Sequence, residues 1–211
     1  MPERETARQR ILQAANELFY TQGYRATGVS EIIELADVAK ATFYSHFASK
    51  EALCSEYLDL QNKAELAQIE EVIAAAKTPF ERYMAPALLM EPFSSVNDQR
   101  GCRFINIAAE IPSSDNVLRK PGIDHYEQLR RLLLGLVSDL KESDPASYQH
   151  VHATSVADTY LLLIGGGLVM AELFDQLWPA RHIARSVEQL VHPEEIGQSP
   201  SAELEAVSDP A

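Results

Sequence analysis

The residues whose types and spacing suggest chemistry lie close together, between Lys40 and His46. A cation, a hydroxyl, a phenol and an imidazole follow one another there. Phe43 and Phe47 are spaced to face a hydrophobic interior. The other side of the segment then carries Lys40, Ala41, Thr42, Tyr44 and His46. Small, basic and hydroxyl side chains on one exposed face can hydrogen-bond to the bases and phosphates of DNA.

Two short helices are needed to present this surface. An apolar pattern of helical spacing precedes it and consists of Val29, Ile32, Ile33 and Ala36. A break at Asp37 and Val38 separates that helix from the one that begins near Lys40. Two short helices joined by a tight turn, the second with a polar and basic outer face, are the helix-turn-helix arrangement. The alternative is an ordinary helical hairpin whose lysine and histidine merely face water.

The flanking sequence favours the helix-turn-helix. A matching pattern covers residues 11–53, ILQAANELFYTQGYRATGVSEIIELADVAKATFYSHFASKEAL, and includes the aromatic pair Phe43 and Tyr44 and the run HFASKEAL. On these residues the chain resembles the N-terminal DNA-binding domain of the tetracycline-repressor (TetR) family. The resemblance implies an all-α protein of about nine helices, with a three-helix helix-turn-helix domain followed by a helical ligand-binding and dimerisation bundle.

Four positions depart from the family pattern. Gly28 and Ala39 stand where the two helices of the pair usually have a side-chain N-cap, so each helix start loses an acceptor. Asp37 stands where glycine is common, and aspartate can adopt the left-handed conformation less readily than glycine. Ser45 replaces a frequent aromatic residue and removes one phosphate contact.

The resemblance divides the expected DNA contacts into two groups. Lys40, Ala41 and Thr42 are expected at base edges, with Lys40 donating to guanine or to a phosphate. Phosphate contacts are expected from the residues at the matching positions of the family: Tyr44, His46 and Lys50. Thr27 and the backbone amides after Gly28 are expected to present a helix N-terminus to a further phosphate.

Two of these assignments have simple alternatives. The ring of Tyr44 can pack against its neighbours without reaching DNA. His46 can cap the end of its own helix.

The net charge of the chain is −13 over 211 residues, and it is unevenly distributed. Residues 1–50 hold six basic and six acidic residues, so the excess negative charge lies in the remainder. An acidic body repels DNA and leaves the neutral N-terminal part to approach it. The length is sufficient for a DNA-binding unit and a second helical bundle.

Composition also bears on location and on catalysis. No run reaches the roughly 18 unbroken apolar residues of a membrane span, and residues 1–10 are charged, so we expect a cytoplasmic protein without membrane contact. Cys54 and Cys102 match no metal spacing and are expected to be reduced thiols. We expect no metal and no cofactor. The sequence lacks a Gly-rich phosphate loop, a nucleophile elbow and paired histidine ligands, which argues against an enzyme.

Periodicity, caps and prolines predict the remaining helices. A first helix is expected over 4–20, and a long helix over 49–77 links the two parts of the chain. Further helices are predicted over 78–93 with a kink at Pro86, 101–111, 123–142, 148–176 and 179–191. The chain then divides into a DNA-binding domain at 1–48, a ligand-binding and dimerisation domain at 49–193 and a disordered tail at 194–211.

Three consecutive glycines, Gly165 to Gly167, interrupt an apolar helix. Each costs a helix interior about 1 kcal/mol relative to alanine, so a close helix approach must offset the loss. A subunit interface is the favoured location for that approach, and tight packing within one subunit is the alternative.

A small-molecule effector, largely apolar, is expected among the later helices. The apolar and aromatic candidates for its site are Tyr83, Leu88, Phe93, Phe104, Ile107, His125, Tyr126, Leu129, Tyr160, Ile164 and Trp178. Cys102 suggests a different sensor, because a thiol at a helix start beside Arg103 or Arg100 has a lowered pKa and reacts with oxidants or electrophiles. A buried, inert cysteine is the favoured alternative.

These features predict a dimeric transcriptional regulator, expected to be a repressor, which binds a palindromic operator and leaves it when a small molecule enters the later helices. Two alternatives stay open: a redox-sensing repressor that acts through Cys102, and a helical ligand-binding protein whose first domain has lost DNA recognition. The sequence does not identify the effector, the operator or the regulated genes.

Overall fold

The computed structural model describes residues 5–95, 101–111 and 117–192, and these residues form helices without a strand among them. The helices are α1 (Ala7–Thr21), α2 (Val29–Leu35), α3 (Lys40–His46), α4 (Lys50–Ala75), α5 (Pro79–Leu88), α6 (Met90–Ser95), α7 (Arg103–Glu110), α8 (Arg119–Ser143), α9 (Ala153–Phe174) and α10 (Trp178–Gln189). Only Leu89 separates α5 from α6, so the described part has the predicted nine helices if these two are taken as one. The all-α class is confirmed. The predicted tail at 194–211 lies outside the described residues.

Helices α1 to α3 form a small unit that we call the head. Its core contains Ile11, Phe19, Ile32 and Phe43, each at most 3% exposed. The first helix begins later than predicted because Thr6 caps it. The Gln9 amide donates to the Thr6 hydroxyl, and the Gln9 side chain accepts from the Thr6 amide. This reciprocal capping box sets the start of α1 at residue 7.

The turn between α2 and α3 depends on Asp37, which adopts the left-handed conformation with φ of 50°. The Val38 amide closes the turn by donating to the carbonyl oxygen of Ile33 at 3.2 Å. Arg10 of α1 donates to the Asp37 carbonyl oxygen at 3.0 Å and also lies 3.7 Å from the Asp37 carboxylate. The prediction that an aspartate can replace the glycine of this turn is confirmed.

The long helix α4 joins the head to the remaining helices α5 to α10, which we call the body. Ser49 caps its start by accepting a hydrogen bond from the Ala52 amide at 3.0 Å. Near this end Leu53 and Tyr57 are buried in the head, where α4 contacts α1. Ile69 is buried farther along, where α4 contacts α5 and α8. One continuous helix therefore belongs to both hydrophobic cores.

The predicted start of α8 was wrong, because the helix begins at Arg119 rather than at residue 123. Pro121 was expected to precede the helix, but it lies in the first turn. An amide in the first turn has no partner within the helix, so proline is tolerated there. The earlier start adds one helical turn, with Arg119 and Gly122, to the side of α8 that faces α7.

Helix α5 is disturbed at Pro86, and a tyrosine of α9 completes its hydrogen bonding. The Tyr160 hydroxyl accepts from the Ala87 amide at 2.7 Å and donates to the Tyr83 carbonyl oxygen at 3.1 Å. In a regular helix this amide and this carbonyl bond to each other directly. Tyr83 donates its own hydroxyl to the carbonyl oxygen of Val187 on α10 at 2.7 Å. The two tyrosines thus tie α5 to both C-terminal helices.

The three glycines of α9 have three different environments. A Cβ atom added at Gly167 would lie 2.4 Å from Ile183 of α10, whereas one added at Gly165 would be in ordinary contact with Tyr126. A Cβ atom at Gly166 would meet nothing within 4 Å. For Gly167 the expected location at a subunit interface was wrong, because the close approach joins α9 to α10 of the same chain.

The outer face of α9 is apolar and uncovered in the single chain. Leu162 is 74% exposed and Leu173 is 71% exposed, and Phe174 and Trp178 continue the apolar surface toward α10. By length and composition α9 is the one helix of the described part that is able to cross a membrane. A helix with an apolar face on each side satisfies the same criterion, and the opposite face of α9 packs on α8 and α10. The membrane criterion is therefore weak evidence here.

Replacing Tyr160 by phenylalanine is expected to destabilise the fold by about 1–3 kcal/mol. The change leaves the buried Ala87 amide and Tyr83 carbonyl without their shared partner. Urea unfolding followed by circular dichroism measures the loss. The control is Tyr44→Phe, which removes an exposed hydroxyl and is expected to change the stability by less than about 0.5 kcal/mol. Equal effects of the two substitutions would contradict the bridging role of Tyr160.

Two glycine-to-alanine substitutions are expected to have opposite effects. Gly167→Ala places a methyl group against Ile183 and is expected to lower the free energy of unfolding by about 1–3 kcal/mol. Gly135→Ala on α8 adds a methyl group where nothing lies within 4 Å, so helix propensity predicts a gain of up to about 1 kcal/mol. Thermal and urea unfolding measure both changes, and stabilisation by Gly167→Ala would show that α9 and α10 are less closely packed.

Candidate nucleic-acid interface

The structure divides α3 into a buried face and an exposed face. Phe43 and Phe47 are at most 3% exposed and fill the core of the head. The exposed residues of the opposite face are Lys40, Ala41, Tyr44, Ser45 and His46. Thr42 lies between the two faces and is half-buried. The surface predicted for base and phosphate contacts therefore lies outside the hydrophobic interior.

The side chains of this surface make few contacts within the protein. The Tyr44 ring is 48% exposed and meets Phe43 edge to face, with 5.2 Å between ring centroids. Within the described residues, neither Lys40 nor His46 has a side-chain hydrogen bond or ion pair. Ala39, at the start of α3, provides no side-chain cap. The donor groups of α3 are thus available to an external acceptor.

Thr27 and Gly28 have internal partners instead. The Thr27 side chain is 1% exposed, and its hydroxyl lies 2.7 Å from the Gly23 carbonyl oxygen and 3.2 Å from that of Leu18. The Gly28 amide donates to the Glu31 carboxylate at 2.6 Å. The Thr27 hydroxyl and the Gly28 amide already have partners, so a phosphate at the start of α2 would have to use the expected backbone amides that follow Gly28.

Lys50 also has an internal role. Its ammonium group donates to the carbonyl oxygens of Tyr24 and Thr27, at 2.8 Å and 2.9 Å, and lies 4.3 Å from the centroid of the Tyr24 ring. These contacts hold the loop between α1 and α2 against the start of α4. In this conformation the charge of Lys50 is directed into the protein rather than toward the surface of α3.

The body reaches the same loop from the other side through α7. The Glu110 carboxylate accepts from the Tyr24 amide at 3.1 Å and from the Arg25 amide at 2.6 Å. Gly23 adopts φ of 95°, and a Cβ atom there would lie 2.6 Å from Glu110. The sequence contains no signal for this contact, because Glu110 is separated from the loop by 85 residues or more.

Arg103 makes the corresponding contact at the other end of α7. It donates to Gln61 at 2.6 Å and to the Glu65 carboxylate at 3.0 Å, both on α4. Its guanidinium also lies 5.0 Å from the centroid of the Tyr20 ring on α1. Both ends of α7 therefore contact either the head or the helix that carries it.

Among the described residues of the body, three openings could hold a small molecule or water, and one of them is an opening of about 240 Å³ on α10 that is lined by Trp178, Arg181, His182 and Arg185. A groove of about 550 Å³ lies between α7 and α8, and Phe104 and Tyr126 are the predicted effector residues in its wall. A much smaller internal cavity, of about 40 Å³, is lined by four predicted residues: His125, Tyr126, Leu129 and Ile164. The volume of the groove is typical of sites for small organic ligands, and the internal cavity holds only a few waters.

The other predicted effector residues lie elsewhere. Tyr83, Ile107 and Tyr160 are at most 2% exposed and belong to the core. Leu88 and Trp178 are on the surface, 59% and 49% exposed, and Trp178 lines the opening on α10. The side chain of Phe93 lies outside the described residues.

The reactive-thiol prediction for Cys102 was wrong in its chemistry. Burial raises the pKa of the Cys102 thiol, and the hydrogen bond that it accepts from the Tyr126 hydroxyl, at 3.2 Å, lowers it only in part. Arg103 follows Cys102 in sequence but points toward Glu65 and Gln61. A helix start does not activate a thiol that is 6% exposed and lacks a nearby cation.

Two titratable groups meet next to this thiol. Burial raises the pKa of Glu65 to about 7, against the opposing effect of Arg103. Burial and, to a smaller extent, the positive charge of Arg103 lower the pKa of His125 to about 4. The neutral His125 ring stacks on Phe104, with 4.1 Å between centroids, and its Nδ1 lies 2.8 Å from the Asn62 oxygen. In the described residues no group of three or more potential metal ligands occurs.

Sequence reasoning missed most of the groove. The additional lining residues are Ile105, Ala108, Arg119, Gly122, Ile123, Glu127, Arg130 and Leu161. Those of α8 recur at spacings of three and four residues on one helix face. This signal was present in the sequence, but the predicted start of α8 excluded its first two members.

Comparison with known proteins identifies similar chains. Residues 11–57 match the family described as bacterial regulatory proteins, tetR family. The HTH-type transcriptional regulator LmrA of Bacillus subtilis is 26% identical over 189 residues, which are 88% of this chain and 96% of LmrA. The HTH-type transcriptional activator FasR of Mycolicibacterium smegmatis is 32% identical over 155 residues, 64% of this chain and 69% of FasR. A TetR-family regulator from Streptomyces coelicolor shares the fold, with a TM-score of 0.80 at 24% identity over 89% of this chain and 95% of that one.

His125 is expected to make the fold sensitive to acid. A folded-state pKa of about 4 lies below the ordinary histidine value, so this group stabilises the fold above about pH 6.5 and that stability is lost as the pH falls toward 4. Glu65 provides no counter-charge in this range, since it is protonated below its raised pKa of about 7. As the pH falls from 6.5 to 4, the free energy of unfolding of His125→Phe should therefore rise by on the order of 3 kcal/mol relative to that of the unchanged protein.

Urea unfolding at a series of pH values measures this difference, and His182→Phe, at an exposed position on α10, is the control. A pH-independent difference for His125→Phe would contradict the neutral, buried state of His125.

Proposed function

Because the chain belongs to the TetR family and is a helix-turn-helix transcriptional regulator, we propose that it is a dimeric, effector-responsive repressor of a palindromic operator. Residues 1–48 form the DNA-binding domain in this proposal. Residues 49–193 form the effector-binding and dimerisation domain. The repressor is released from the operator when a small molecule binds the body. Its action is cytoplasmic, where the DNA is, and needs no catalytic step.

The observation that carries this proposal is the exposed polar face of α3. The burial of Phe43 and Phe47 orients the helix so that Lys40, Ala41 and Tyr44 face outward together. Such a helix fits the major groove of DNA. A helix in a simple hairpin has no need of an outer face that leaves its cation, phenol and imidazole without partners.

The placement of the side chains refines the proposed contacts. Lys40, Ala41 and Thr42 meet base edges, while Tyr44 and His46 meet phosphates. Thr27, Gly28 and Lys50 act indirectly, since their donors hold the loop between α1 and α2. Arg25 of that loop is exposed, forms no ion pair among the described residues and is a further phosphate contact in this proposal.

The uncovered apolar face of α9 supports the dimer. Leu162, Leu173 and Phe174 would be covered by the same face of a second copy around a two-fold axis. A two-fold dimer presents two α3 helices to successive major grooves, which are about 34–36 Å apart on one side of the duplex. The operator is then an inverted repeat.

Effector binding must alter the separation of the two heads. The body contacts its head through Glu110, through Arg103 and through the shared helix α4. A ligand that moves α7 or tilts α4 changes the position of the head, and a coupling of about 1–3 kcal/mol lowers operator affinity 5- to 150-fold.

A second candidate is an activator of transcription, because FasR is named an activator. Both candidates bind an operator in the same way. A transcription assay on a template carrying the operator distinguishes them: a repressor lowers transcript yield when it is added without effector, whereas an activator raises it.

Selection from a random duplex library should enrich an inverted repeat. Lys40→Ala is then expected to weaken binding to the selected duplex by about 1–3 kcal/mol and to relax the preference at the contacted base. Tyr44→Phe should weaken binding to all sequences by about 1 kcal/mol through a lost phosphate contact. Fluorescence anisotropy at constant salt concentration measures both.

The matched control is Lys63→Ala, which removes an exposed lysine from α4 outside the head. It should leave the affinity within about twofold of the unchanged protein. Failure to enrich any sequence would favour a ligand-binding protein without DNA recognition, and an enriched site without two-fold symmetry would exclude the dimer.

A further inference from the structure

The groove between α7 and α8 is large enough for a small organic ligand, and its surface is almost wholly apolar. Phe104, Ile105 and Ala108 of α7 form one wall, and Ile123 and Tyr126 of α8 form the other, with Leu161 of α9 at the base. An apolar groove of about 550 Å³ binds a largely hydrocarbon or aromatic molecule rather than a polar one.

One end of the groove carries a cation without a partner. Arg119, in the first turn of α8, is half-buried and forms no ion pair or side-chain hydrogen bond with the described residues. Its neighbours differ: Lys120 pairs with Asp124 at 2.6 Å, and Arg130 at the other end of the groove pairs with Asp158. The Arg119 guanidinium is therefore available to an anion that enters the groove.

We propose that this groove binds an amphipathic monoanion, with its apolar body between α7 and α8 and its carboxylate or other singly charged head on Arg119. The guanidinium offers a planar pair of donors that suits a carboxylate. Glu127, which also lines the groove, disfavours a second negative charge farther along the ligand. The effector class rests on the proposed function, whereas the binding site itself does not.

The internal cavity is a poorer site for such a ligand. Its volume is about 40 Å³, and the acidic side chain in its wall, Glu65, offers no positive charge to an anion. Arg103, the nearest cation, is already bound to Glu65 and Gln61. The opening of about 240 Å³ on α10 carries Arg181 and Arg185, but it is less than half as large as the groove, and Trp178 is the one apolar side chain given in its lining. An anion with a long apolar body therefore fits the groove between α7 and α8 better.

Occupation of the groove acts directly on the contacts with the head. The wall formed by α7 is the helix whose ends carry Arg103 and Glu110. A ligand wedged against Phe104 and Ala108 pushes α7 away from α8 and displaces the Glu110 carboxylate from the Tyr24 and Arg25 amides. The loop before α2 then loses its support from the body, and the two heads change their separation.

The test uses three probes that share a ten-carbon chain: decanoate, decylammonium and 1-decanol. Isothermal titration of the full chain is expected to show decanoate binding at least about tenfold more tightly than the other two, because only decanoate makes the charge-assisted contact. Arg119→Gln should remove that preference and weaken decanoate about tenfold, while leaving decanol unchanged. Ala108→Trp, which fills the groove, should weaken all three probes.

The control is Lys120→Gln, which removes the adjacent cation that lies outside the groove lining and already pairs with Asp124. Equal affinity for decanoate and decylammonium, or an Arg119→Gln protein that binds decanoate normally, would overturn the proposal. Operator binding by the same proteins is measured separately. An intact operator complex with no decanoate binding contradicts the ligand site alone, whereas decanoate binding without any operator complex contradicts the proposed function alone.

Discussion

The position of the head on the body depends on two opposite charges that hold one short loop. The Lys50 ammonium donates to the carbonyl oxygens of Tyr24 and Thr27. The Glu110 carboxylate accepts from the amides of Tyr24 and Arg25. A loop has few backbone partners of its own, so these side chains satisfy groups that would otherwise face solvent. Because Lys50 belongs to α4 and Glu110 to α7, the loop senses the relative position of two helices. A small movement of either helix changes the hydrogen bonds that hold the loop of the head.

Internal partners of the basic side chains also explain the sparse positive charge of the surface that is proposed to face DNA. Arg8 pairs with Glu56, Arg10 pairs with Asp37, and Lys50 is bonded to backbone carbonyls. Arg25 and Lys40 are the cations of the described head that lack such partners. One head therefore has little non-specific attraction for DNA, and the acidic remainder of the chain opposes it. In the proposed dimer, two heads would double the favourable contacts.

In the body, helix α9 holds the neighbouring helices α5 and α10 in place. Its inner face supplies the Tyr160 hydroxyl that completes the hydrogen bonding of α5, and Gly167 lets α10 approach closely. Its outer face remains apolar and exposed in the single chain. Apolar residues on both sides of one helix produce its high hydropathy, which sequence composition alone does not distinguish from that of a membrane span.

The amino-acid sequence by itself determined the exposed face of α3, because that face follows from local periodicity and from the positions of Phe43 and Phe47. It determined the helix-turn-helix and the all-α class through the family resemblance of residues 11–53, together with helical periodicity along the chain. It also indicated that Asp37 could form the turn. Tertiary structure alone decided that Lys50 and Thr27 turn inward, that burial suppresses Cys102, and that Glu110 meets the first loop. Each of these depends on groups from helices far apart in the chain, and neither desolvation nor long-range hydrogen bonding is encoded in the spacing of neighbouring residues.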